Sequence, residues 1–191
     1  MKAKIWTLMI AVSLLGMVSY ADDAEDIYAT MKTLKGEWVL SPADKQEGEA
    51  SKNVIVAPLV GTDRIGMKFR IIGLGSTVQE ILLPDTQKEM VTMYHCMDAF
   101  CGEVKATHYC VMQNQPEMLA DEESTETKLI YNCNMETELC QSDEMHIHKI
   151  THELSNNGKH LKSTYSSWKD GEYSGDIIYV FGRKEAAKSG Q

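Results

Sequence analysis

Two short stretches carry the chemistry this chain has to offer. Thr107-His108-Tyr109-Cys110 runs into Asn114-Gln115-Pro116, and His146-Ile147-His148 follows thirty residues later. Neutral imidazole and thiolate are ligands for zinc or copper, and imidazole for haem iron, so His108, His146 and His148 form one candidate metal set. The His-x-His spacing puts two imidazoles on one side of a strand, and His152 extends the row. A different use of the same residues is nucleophilic: Cys110 as thiolate, His108 or His146 as base, Asn114 as orienting group. Same-face neighbours on a strand stand about 6–7 Å apart, too far for a direct thiol–imidazole bond, so the base would come from across the sheet. The third use is a polar wall for a bound small molecule, with no transformation of it.

These residues need a scaffold, and the pattern around them is period two. Strands are expected at Gly36–Leu40, Ile65–Leu74, Thr77–Leu83, Glu89–Cys96, Cys101–Met112, Glu126–Cys133, Met145–Leu154, Leu161–Trp168 and Tyr173–Gly182. Gly73–Gly75, Pro84-Asp85, Asn156-Asn157-Gly158 and Lys169-Asp170-Gly171 supply turns. The glycines of Gly73-Leu74-Gly75 precede no helix, so they form a turn and not a phosphate-binding loop. Short links without crossover helices mean an antiparallel meander. Closing it removes the edges, which predicts an all-β, up-and-down barrel of about 8–10 strands spanning residues 35–184. Ile27, Met31 and Leu34 lie at helical spacing and predict a short helix or lid over residues 22–34. Residues 185–191 read as a frayed polar tail.

The first 21 residues read as a secretory leader. Lys2 and Lys4 precede an apolar run from Ile5 to Val18, and Ser19-Tyr20-Ala21 places small residues for cleavage after Ala21. The expected destination is the periplasm or the medium, with no membrane attachment once the leader is removed. The full chain has a formal charge of −9, which becomes −11 without the two leader lysines. A surface that acidic repels nucleic acid and anionic lipid. Five cysteines fit an oxidising compartment: Cys96 with Cys101 and Cys133 with Cys140 are spaced as staples across hairpin ends, leaving Cys110 free.

If Cys96 pairs directly with Cys101, alternation turns Val91, Met93, His95, Val104, Ala106, His108, Cys110 and Met112 into the barrel and the disulfide outward. On Met145–Leu154 the inward set would be His146, His148, Ile150, His152 and Leu154. Trp38 would plug or floor the pocket, and Arg183 would close the base by pairing with a carboxylate or stacking on Trp38.

The stretch Thr107-His108-Tyr109-Cys110 with Asn114-Gln115-Pro116 is preceded by Leu82-Leu83-Pro84, Lys88 to Thr92 and Tyr94-His95. It is followed by Asn134, Met145-His146, Trp168 and Asp170-Gly171. This arrangement resembles a family of exported bacterial lipocalin-like (calycin-type) β-barrels, the DUF1579-like group, over most of Gly36 to Arg183. The resemblance implies a closed barrel whose pocket is lined by His108, Cys110, Asn114 and His146. The two cysteine pairs, His148 and His152 are additions to the family pattern, which carries no agreed activity. The expectation for function is therefore a barrel that binds a small amphipathic ligand through Trp38, Met93, His108, Cys110, Asn114, Gln115 and His146. A metal- or haem-binding barrel and a Cys110-dependent enzyme are the alternatives.

Overall fold

The computed structural model describes residues 20–185. Residues 1–19, which hold most of the expected leader, and the tail at 186–191 lie outside the described residues. The helix α1 spans Tyr20–Thr33. Its buried stripe is Ile27 and Met31, joined by Tyr28, and buried Leu34 continues it directly after the helix ends. No described helix is long and apolar enough to cross a membrane.

Ten strands follow: β1 Gly36–Leu40, β2 Ile65–Ile72, β3 Thr77–Leu82, β4 Met90–Cys96, β5 Val104–Tyr109, β6 Glu117–Ala120, β7 Lys128–Cys133, β8 His146–Ser155, β9 His160–Lys169 and β10 Glu172–Arg183. Each pairs antiparallel with its sequence neighbour, and β1 pairs with β10 through Trp38 and Arg183, so the sheet closes on itself. Closure leaves no strand edge to pair with another chain. Asp170 and Gly171 turn β9 into β10 with both φ positive, at 55° and 73°. That is the twist a two-residue hairpin needs, and it explains the Asp-Gly dipeptide.

Three expectations need correction. The strand β6 is not among the expected strands: four residues directly after Pro116 are too few to show a period. The register between β4 and β5 is also different. Cys96 pairs with Val104 and Thr92 with His108, and the disulfide runs from Cys96 to Cys101 within the connecting loop. The observed pairing is offset by three residues from a direct Cys96–Cys101 register, and any odd offset turns every side chain of one strand over. Thr92 and Tyr94 are therefore buried, while Val91, Met93 and His95 lie half-buried on the opposite face. On β5 the inward set Val104, Ala106 and His108 is as expected. Finally, β8 is not a strict alternation. Its register to β9 shifts between Ile147 and Lys149, so a bulge at His148 separates His146 from the face that holds Ile150 and His152.

The two ends of the barrel differ. At one end α1 lies against β4, β5 and β7, and Tyr28 Oη donates to the Gly75 carbonyl at 3.1 Å. Trp38, fully buried, donates Nε1–H to the Leu34 carbonyl at 3.0 Å. The Arg183 guanidinium stacks 4.2 Å above the Trp38 ring and donates to the carbonyls of Gly158, Lys35 and Thr33. The stacking alternative for Arg183 is the one realised. The opposite end carries the long β1–β2, β5–β6 and β7–β8 connections and stays open.

Candidate functional site

At the open end a cavity of about 440 Å³ is walled by Met90, Met112, Ile147, Ile177 and Tyr179, with Cys110 beside them. Glu49, Lys88 and Asp176 add charge to the same lining. The wall is assembled from distant parts of the chain: β8, β9 and β10 give one side, the β3–β4 and β5–β6 connections another. A 3-10 turn at Ala50–Lys52 leans over it from the β1–β2 connection. Burial raises the Tyr179 hydroxyl to about 12, so it is a neutral donor at the wall.

The sequence-predicted residues are spread over several places. The strand β5 stops at Tyr109, so Cys110 sits in the following turn, half-buried on the cavity, and not beside His108 on a strand face. Burial raises the Cys110 thiol above its ordinary pKa, which runs against a nucleophilic thiolate. His108 is fully buried, with Nδ1 2.9 Å from Thr92 Oγ1 and Nε2 without a partner among the described residues. Burial holds its pKa down to about 4, against a smaller upward pull from Glu80, so the ring is neutral. Asn114 ties two loops together, its Nδ2 donating to Glu144 Oε1 at 2.8 Å and the Met145 carbonyl at 2.9 Å. Gln115 is exposed, Met93 is on the outer face and Trp38 belongs to the sealed end. None of these three lines the open cavity.

His146 and His148 do meet. His146 Nδ1 donates to the Glu144 carbonyl at 2.7 Å, and its Nε2 lies 2.9 Å from His148 Nδ1. The His148 ring stacks on Trp168 with centroids 4.4 Å apart, and burial followed by the His146 charge lowers its pKa. Among the described residues, the group able to converge on a metal ion is Cys133, His146 and His148; His108 is not part of it.

One buried feature was missed by reading the sequence. Glu80 is fully enclosed in the barrel. It accepts hydrogen bonds from Tyr94 Oη at 2.6 Å and from Tyr165 Oη, and it lies 3.2 Å from His152 Nε2. His152 Nδ1 reaches Ser163 Oγ at 2.9 Å. Burial alone would push the Glu80 carboxyl up, but His152 and the two tyrosines outweigh it and hold the pKa below the usual carboxylate range. The same burial and the adjacent carboxylate raise Tyr94 and Tyr165 well above the ordinary phenol. With both carboxylate oxygens engaged, Glu80 is the centre of a satisfied interior network that ties β3, β4, β8 and β9 together. The signal was present: Val78, Glu80 and Leu82 share a parity, which puts an acid on an apolar face.

No known protein-family model matches the chain, and no curated protein does. The likeness to the DUF1579-like barrels thus rests on the motif alone.

Proposed function

We propose that this chain is an exported barrel that holds a small amphipathic molecule at its open end without transforming it. The carrying observation is the cavity of about 440 Å³. It falls in the range of small-ligand sites, and its wall is apolar with a few charged groups. Methionine and isoleucine side chains give an adaptable apolar surface, while Lys88 and Asp176 offer opposite charges to a polar head. Two disulfides fit an oxidising compartment. The leader-like first residues and the lipocalin-like motif point the same way.

Native mass spectrometry of full chain taken from its host, followed by titration with the fluorescent amphiphile anilinonaphthalene sulfonate, tests this. The expected result is a retained small molecule, or a saturable one-to-one dye site that Ile177→Trp abolishes. The substitution should shift stability by less than about 1 kcal/mol, since Ile177 is only half-buried. A bare mass together with dye binding that ignores Ile177→Trp would sink the proposal.

A further inference from the structure

The segment between β7 and β8 brings four metal-capable side chains together within sixteen residues: Cys133, Cys140, His146 and His148. In this structure Cys133 and Cys140 are joined as a disulfide. The Cys133 sulfur and one ring nitrogen from each histidine nevertheless lie within 4.8 Å of one another. We infer that reduction of this disulfide converts the β7–β8 connection into a zinc site with two thiolate and two imidazole ligands.

Several features favour this over a chance grouping. Tetrahedral sites with two cysteines and two histidines are a standard zinc environment, with Zn–S near 2.3 Å and Zn–N near 2.0–2.1 Å. Ligand atoms already within 4.8 Å need small movements to meet such an ion. The orientation of His146 suits a ligand: a carbonyl can only accept, so Nδ1 carries the proton it gives to Glu144, and the Nε2 lone pair, which here accepts from His148 Nδ1 at 2.9 Å, is the one that would turn to an ion. Metal-bound histidines ordinarily donate their second N–H in this way. His148 is held by the Trp168 face, and the bulge in β8 places it next to His146 where regular alternation would keep two positions apart. Three of the four residues, Cys133, Cys140 and His146, are nearly buried, so a bound ion would be shielded from water.

The conversion balances. A dithiol reductant gives two electrons and two protons: the Cys133–Cys140 S–S bond breaks, two thiols form, and the reductant closes its own disulfide. Zinc then binds the two sulfurs as thiolates, and their protons pass to water. The same four residues thus hold the loop by a covalent staple when oxidised and by an ion when reduced.

The test uses full-length chain carrying Cys96→Ser, Cys101→Ser and Cys110→Ser, so that the only thiols come from Cys133 and Cys140. Zinc itself and cobalt(II), as its visible reporter, are titrated into the oxidised chain and the phosphine-reduced chain, with circular dichroism recorded in parallel. The expected result is one ion per reduced chain, a tetrahedral cobalt spectrum with a thiolate charge-transfer band, and no such band in the oxidised chain. His146→Ala with His148→Ala should weaken binding by more than the roughly 10–100-fold that outer-shell changes cost. Cys133→Ser with Cys140→Ser, which keeps both histidines, should lose the thiolate band and bind with similarly reduced affinity. If reduction unfolds the chain, zinc should restore the β-sheet spectrum. Failure to restore it, cobalt uptake without the thiolate band, or indifference to the histidine pair would each overturn the inference.

Discussion

The two ends of this barrel solve opposite problems. At the sealed end, one helix, one tryptophan and one arginine satisfy each other: Trp38 donates to Leu34, and Arg183 covers its ring while capping three carbonyls. At the open end the connections are long, the wall is methionine and isoleucine, and the loops are pinned by Asn114 and the Cys133–Cys140 bridge. Binding surfaces are drawn from the less stable parts of a fold. On the proposed reading the closed end supplies the stability and the other end the binding surface.

The largest effects should come from the sealed end and the interior. Trp38→Ala should cost about 3–5 kcal/mol, as removal of a fully buried large aromatic does. Urea unfolding measures it, and a loss below about 1 kcal/mol would mean that the seal does not anchor the barrel. Glu80→Ala should cost a similar ~3–5 kcal/mol, because it strands His152 and two tyrosine donors in the interior. The sign of its pH dependence follows from a depressed carboxyl. The unfolded chain takes up its proton near the ordinary value of about 4.3. The Glu80 contribution is therefore complete above that value and is lost as pH falls through the lower folded pKa. Acid unfolding of Glu80→Gln should lack this low-pH component.

His108 acts in a higher window. Its folded pKa of about 4 lies below the free value of 6.5, so the unfolded chain binds the proton first. Stability falls as pH drops from 6.5 towards 4, by about 3 kcal/mol at roughly 1.4 kcal/mol per unit. His108→Gln should flatten the stability curve across that window, and a curve unchanged from wild type would remove His108 from the account.

The smallest effects separate the ends most directly. Loop closure over 5 and 7 residues gives each disulfide about 2 kcal/mol by chain entropy. Cys101, however, is packed where its sulfur meets the Ala24 carbonyl of α1 at 3.7 Å. Cys96→Ser with Cys101→Ser should therefore loosen the helix as well, seen as faster amide exchange in α1, whereas Cys133→Ser with Cys140→Ser should raise exchange only in the β7–β8 connection. Equal exchange in α1 for both variants would erase the distinction between the ends.

Much of the scaffold is legible in the residue pattern. The buried stripe of Ile27, Met31 and Leu34, nine of the strands, the Asp170-Gly171 turn and both cysteine pairs follow from local periodicity and turn chemistry. The site is less legible. His108 and His146 are each on expected strands and each buried, yet they belong to different places. Cys110 is off its expected strand face because β5 ends at Tyr109, three residues short of the expected Met112. Glu80 is hard to read from sequence because a lone acid in a strand resembles a solvent-facing residue, and only its shared parity with Val78 and Leu82 marks it as inward.

By itself, the order of residues dictates a closed antiparallel barrel with a helix at its start and two short disulfides. Periodicity and turns are properties of a few neighbours along the chain. Which wall each parity faces is decided only by pairing. The partner of Cys96 is Val104 and not its bridged cysteine, and one extra residue at His148 re-aims the start of β8. An odd offset in register inverts a strand completely, and that offset is set by contacts between segments far apart in sequence. The polar interior around Glu80, the open cavity and the Cys133–His146–His148 grouping all depend on it.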